Sequence, residues 1–150
     1  MVISSLLELF KRDLNILNVE INAYSDESNL WITNSEIKNS PGNLCLHICG
    51  NLQHFIGAVL GNTGYVRNRD EEFSKKNIPK DELLNSIDNT KEVILNVLES
   101  LSEDQLANDY PIDVFKKKMT ATHFLIHLLS HLNYHLGQIN YHRRLLDKHN

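Results

Sequence analysis

The sequence predicts an all-α domain, a four-helix bundle with long crossover connections. Three observations carry this. Four stretches repeat their apolar residues at steps of three and four, the period of a helix with one buried face. Helix-start signals stand before the later ones, at Asn39–Asn43, at Pro79 and at Thr120 or Thr122. The chain has 150 residues, 41% of them apolar, which is one domain (1–150) with room for a real core.

In order, the first helix is expected from Val2 to about Tyr24, with Leu6, Leu7, Phe10, Leu14, Leu17, Ile21 and Tyr24 on its buried face. Ser25–Asn29 breaks it, and Leu30–Ile32 is expected as a short turn or extended piece packed on the core. Asn39-Ser-Pro-Gly-Asn43 reads as a loop and helix start. The second helix, Leu44 to about Leu60, is apolar nearly all round and so deeply buried; Gly61–Gly64 ends it. Tyr65–Phe73 is a dense charged segment and Ser74–Asn77 a basic loop. Pro79-Lys-Asp-Glu opens the third helix, with proline early and acids in the first turn. That helix continues through Leu83, Leu84, Ile87, Val93, Ile94, Val97, Leu98 and Leu101. Ser102–Gln105 caps a short helical turn, Asp109–Phe115 is expected as an extended crossover, and Lys116–Lys118 as a solvated loop. The last helix should run to about Asp147, capped by Thr120 or Thr122. The long connections, 25–43 and 61–78, leave the order of helix directions open.

Composition narrows the function. The net charge is −4 with histidines neutral, and the basic residues are scattered, so nucleic acid is not the expected partner. The N-terminus has no basic lead-in and carries Glu8 inside its apolar run, unlike a signal peptide. No uninterrupted apolar run approaches the ~18 residues of a membrane span. With two cysteines and no export signal, a cytoplasmic location is expected.

The chemistry is concentrated near the C-terminus. Residues 119–146 hold five of the eight histidines, and His123, His127, His131 and His135 recur every four residues. On a helix each such step advances only about 40°, so the four form one stripe. A pair at i and i+4, such as His131 and His135, can chelate one divalent metal, but a usable site needs a third ligand. The second helix offers His47 and His54, seven residues apart on one face with Asn51 between them. Bundle cores are where facing helices build metal sites. Spacing alone does not choose between His123/His127 and His131/His135. His123 and His149 read as ordinary residues near helix ends, and His142, beside Arg143 and Arg144, as a favourable partner of a helix C-terminus. Cys45 and Cys49 lie about 160° around the helix from His47 and read as small core residues. Asp70, Glu71 and Glu72 are contiguous, so they point in different directions and form no catalytic carboxylate pair. No serine elbow or phosphate-cradling glycine loop is present.

The segment His131-Leu-Asn-Tyr-His-Leu-Gly-Gln-Ile139 resembles the signature of the DinB-like superfamily, the four-helix proteins of damage-inducible and bacillithiol-transferase type. Leu46-His-Ile-Cys-Gly-Asn-Leu52, continuing to Arg67-Asn-Arg-Asp-Glu-Glu-Phe73, completes the match, which resembles an uncharacterised bacterial subfamily. The resemblance covers most of the chain in order. It implies a bundle with one long crossover, commonly dimeric, and a divalent metal held by His47, His131 and His135. His54 and His127 fall outside the motif and become pocket or packing residues.

Superfamily members with known chemistry are thiol transferases and a thiol-dependent isomerase, so the resemblance implies a metal-dependent enzyme acting on a small molecule. Three imidazoles suit Zn²⁺ or Ni²⁺, and the metal would lower the pKa of a bound thiol or water. The implied reaction is S-transfer from a low-molecular-weight thiol, or hydrolysis. The alternative is a non-catalytic metal-stabilised module for stress response or interaction. Gln138, less than a turn past His135, and Asn51, one turn past His47, are candidates to orient a ligand. Tyr134 and Tyr141 are either pocket walls or core aromatics. Arg67 and Arg69 either grip an anionic thiol cofactor or pair with Asp70, Glu71 and Glu72 to fix the loop. A homodimer is expected, and no membrane partner.

Overall fold

The computed structural model describes residues 1–148. Four long helices form the bundle: α1 (Val2–Asn22), α2 (Pro41–Gly61), α4 (Lys80–Ser100) and α6 (Ala121–Leu146). Two short helices, α3 (Arg69–Ser74) and α5 (Glu103–Ala107), and a 3₁₀ turn (Glu27–Trp31) lie in the connections. Among the described residues there is no strand, only two isolated bridges. The fold is all-α, as the periodicity predicts.

The helix starts follow from local chemistry. Ser40 Oγ accepts from Asn43 N at 3.2 Å, with Pro41 opening α2 where its missing N–H costs nothing. Ser102 and Gln105 form a reciprocal capping box. Of the two threonines before α6, Thr120 caps, accepting from His123 N at 3.1 Å, while Thr122 Oγ1 donates to Leu106 O and ties α6 to α5.

Side-chain contacts settle the helix directions. Asn18 bonds Asp88 and Lys91 bonds Asn15, so α1 and α4 are antiparallel. Asn133 bonds Asp13 and Asn140 bonds Glu20, so α1 and α6 are parallel. Gly57 lies against Val93 and Gly61 against Val97, so α2 and α4 are also parallel. Helix α2 runs antiparallel to α6, and the four run up, down, down, up. Two parallel neighbours cannot be joined by a tight turn, which is why the connection from α2 to α4 is long. That crossover carries α3 back across α2.

The core is the set of buried faces the sequence marks: Leu6, Phe10, Leu14, Leu17 and Ile21 of α1 meet Leu83, Ile87, Ile94 and Leu98 of α4 and Phe124, Leu128, Leu132 and Ile139 of α6. Helix α2 is buried over its first three turns, apart from the half-buried Leu46. From Gln53 to Ala58 it widens into a π segment. Pro41–Gly61 is long and apolar enough to cross a membrane by composition, but more than half of that window is buried against the other helices. Its apolarity is that of a core helix.

Two connections differ from expectation. The charged segment 65–73 contains α3: Asn68 caps it and three acids sit at its positive end. Six residues are too few for a periodic pattern to show. The segment from Asp109 is not an extended crossover but a loop closed on itself, with Tyr110 N donating to Met119 O at 2.8 Å and Ala121 N to Asn108 O at 2.9 Å. Its anchor is buried Tyr110, whose hydroxyl donates to Phe55 O at 2.7 Å.

Candidate metal centre

Three imidazoles converge where α2 crosses α6. His47 Nε2 is 3.1 Å from His131 Nε2, and His135 Nε2 is 3.1 Å from the same atom. One ligand atom from each of the three lies within 4.8 Å of the others. His47 is buried, while His131 and His135 are half-buried and open the group towards solvent. Four residues of α6 separate the second pair, so one helix face presents both.

The outer nitrogens of His47 and His135 are already committed. His47 Nδ1 is 2.9 Å from Glu72 Oε1. Arg67 grips the same carboxylate twice, Nε to Oε2 and Nη2 to Oε1, each at 2.8 Å. Burial alone would raise the Glu72 carboxyl, but the hydrogen bonds from Arg67 and His47 outweigh it and hold it below its ordinary range. An ionised carboxylate only accepts, so Nδ1 of His47 carries the proton and Nε2 presents its lone pair inward. His135 Nδ1 donates likewise to Gln138 Oε1 at 2.7 Å, and Gln138 Nε2 donates to Tyr134 Oη. Two lone pairs therefore face His131 Nε2. A single proton there satisfies one of them; a cation satisfies all three nitrogens.

The spacing fits that cation. Nitrogens about 2.05 Å from a tetrahedral zinc lie about 3.3 Å apart, close to the two 3.1 Å separations. Burial, then the neighbouring His135 and His47, push the His131 imidazole down to about 4, so it is neutral and able to ligate at ordinary pH. Burial also lowers His135, against the opposing Gln138 bond. Asn51, one turn past His47 on the same helix face, is buried with no hydrogen-bond partner at Oδ1 among the described residues. An orphaned acceptor beside a donor-poor cluster fits a site that takes up a further polar group.

The remaining histidines stay outside the cluster. His54 lies at the start of the π segment, edge-on to Phe55, and its seven-residue register with His47 does not bring it to the triad. His127 is exposed, stacked on Phe124 and edge-on to Phe115. His123 is exposed in the first turn of α6, and His149 lies outside the described residues. His142 is not a surface partner of the helix C-terminus. It is buried, with Nδ1 accepting from Tyr24 Oη and Nε2 donating to Ile32 O, both at 2.9 Å. Tyr134 and Tyr141 are about two-thirds exposed, so neither is a core aromatic. Cys45 and Cys49 are free thiols in the core.

Of the two roles open to the arginines, Arg67 takes the pairing one, on Glu72; Arg69 stacks on the Phe73 ring, 5.2 Å from its centroid. Glu72 itself escapes a reading of spacing. Only it, of three contiguous acids, turns inward, because α3 is short and its buried face is one residue wide. One signal was available in Gly50, three residues after His47: a Cβ there would collide with Glu72 Oε2. The glycine makes room for the carboxylate behind the histidine.

No curated protein matches the chain. Among solved structures, a DinB-like protein, YjoA, from Bacillus subtilis superposes with a TM-score of 0.69 over 94% of this chain and 91% of that one, at 20% sequence identity. The fold is therefore DinB-like. The chain's own family is shown by a model that matches residues 2–150: the chain belongs to the family described as "Protein of unknown function (DUF1572)".

Proposed function

We propose that this protein is a divalent-metal-dependent enzyme, a thiol S-transferase or hydrolase acting on a small molecule. The observation that carries the reading is the inward convergence of three Nε2 atoms, two of them fixed as acceptors by Glu72 and Gln138. In this reading His47, His131 and His135 hold zinc or nickel and leave a coordination position for a thiol or water. A divalent ion so held lowers the pKa of that thiol or water and supplies a nucleophile at neutral pH. The chain's own groups do the rest. Glu72, locked by Arg67, keeps the proton of His47 on Nδ1, and Gln138 does the same for His135. Asn51 Oδ1 accepts a hydrogen bond from the bound group or its substrate. The half-buried rims of His131 and His135 give a small molecule its approach. The experiment is metal identification in protein purified without a histidine tag, followed by a transfer screen with bacillithiol-like, glutathione and cysteine donors. Loss of transfer or hydrolysis on metal removal, and its return on adding back the metal, supports the reading. A metal-replete protein inactive with every donor and with water favours a structural metal in an interaction module.

A further inference from the structure

A cleft of about 380 Å³ opens between the 36–39 loop, the start of α2 and the last turns of α6. Its working wall is Ile37, Pro41, Leu44, Gln138, Tyr141 and Leu145. We infer that this cleft is a substrate subsite that seats the neutral, apolar body of a small molecule beside the three histidines. The inference rests on the function proposed above and names the substrate class of that site.

Location is the first argument. Leu44 precedes His47 by three residues and Gln138 follows His135 by three, so the cleft lies about one helical turn, roughly 5 Å, along the α2–α6 seam from the triad. Gln138 is shared: it lines the cleft and its Oε1 accepts from His135 Nδ1 at 2.7 Å. A group filling the cleft therefore ends at the residue that orients a ligand of the proposed metal.

Chemistry is the second. The volume lies within the range of small-molecule sites, about 300–1,000 Å³. More of the wall is apolar than polar: Ile37, Pro41, Leu44, the Tyr141 ring and Leu145 supply the apolar part, and Asn39 and Gln138 are its neutral polar neighbours. Tyr141 and Leu145, four residues apart on one face, are 64% and 56% exposed, large apolar groups that solvent does not favour. His142 also borders the cleft, but both its nitrogens are taken by Tyr24 and Ile32, so it offers no free polar atom. Glu36 and Lys38 also line it; both are exposed and of opposite charge, so together they add no net charge. The cleft thus has no built place for an anion or a cation. The larger cavity, about 520 Å³ beside Glu72, is more polar: amides, hydroxyls and carboxylates of Gln53, Asn85, Ser86, Asn89, Thr90 and Glu82 make up much of its lining.

The test is a fluorescence titration of the zinc-loaded full chain with N-phenyl-1-naphthylamine, a neutral apolar probe. Saturable binding is expected, weakened at least tenfold by Leu145→Glu and by Ile37→Glu, and unchanged by Val19→Glu on the exposed face of α1. All three positions are half-buried or exposed, and circular dichroism confirms that each variant folds. With cobalt in place of zinc, saturating probe should shift the visible absorption bands, an effect that a merely adhesive surface patch would not produce. Absence of saturable binding, equal binding by Leu145→Glu and Ile37→Glu, or tighter binding of the anionic 1-anilinonaphthalene-8-sulfonate overturns the inference. The same titration on metal-stripped protein separates the two claims: probe binding there without any metal uptake leaves the subsite and removes the metal function.

Discussion

Glu72 Oε1 sits 2.9 Å from Nδ1 of His47, with Arg67 donating to both oxygens of the same carboxylate. The crossover between two parallel helices exists in any bundle of this topology; here it delivers a buried acid to the back of a histidine. Removing the carboxylate charge while keeping the shape should weaken the site without dismantling it. Glu72→Gln should lower zinc affinity about 10- to 100-fold, with the helical circular dichroism unchanged, as measured by competition with a chelating dye.

Gly50 should tolerate no side chain. A Cβ there meets the Glu72 carboxylate, which Arg67 and His47 hold in place. Gly50→Ala should cost about 1–3 kcal/mol, as overpacking of a filled site does, and should also weaken zinc binding because the carboxylate must move. Urea unfolding and zinc titration of the same variant check both effects. The general gain in helix propensity from Gly to Ala pulls the other way by up to about 1 kcal/mol, so a stabilised variant would mean that the carboxylate is not held.

Asp147 closes the end of α6 onto the 25–29 turn, accepting from Ser25 N and Oγ, Asp26 N and Asn29 Nδ2. Burial alone would raise its carboxyl, but the bonds from Asn29, Ser25 and Asp26 outweigh it and bring it down to about 2. A depressed acid stabilises the fold fully above its unfolded value of 3.8, and that contribution is lost as pH falls towards about 2. Unfolding measured at stepwise lower pH should show this loss in the wild type and not in Asp147→Asn.

The buried His142 bridge should be structural alone. Tyr24→Phe removes the hydroxyl that donates to His142 Nδ1 and leaves a buried acceptor unpaired, which costs about 1–3 kcal/mol. Zinc affinity should stay within twofold, since neither residue reaches the triad. A large change in affinity would show that the end of α6 controls the site.

How far the sequence reaches depends on the length over which a pattern repeats. The four long helices were legible because twenty or so residues repeat an apolar step, and Ser40, Ser102 and Thr120 cap where their residue types suggest. Helix α3 was not, because six residues hold no period, and with it went the orientation of Glu72. The closing of the 109–120 loop depends on Tyr110 reaching Phe55 on another helix, a contact that local sequence does not encode. At the site, helix spacing joins His131 to His135 but gives no third ligand; His47 was named only through the resemblance. Gln138 was legible as a neighbour of His135, though its bond to the outer nitrogen was not. His142 misled because its position beside two arginines at a helix end says nothing of the Tyr24 side chain packed against it.

Titration of untagged, metal-stripped protein with Zn²⁺ or Co²⁺ decides whether His47, His131 and His135 together hold one divalent metal ion. One equivalent should bind, and His47→Ala, His131→Ala or His135→Ala should each abolish it while the helical content remains; His54→Ala and His127→Ala should bind as the wild type does. Uptake below ~0.2 equivalents with no gain on adding metal, or loss of binding in His54→Ala but not in His47→Ala, would rule out this ligand set.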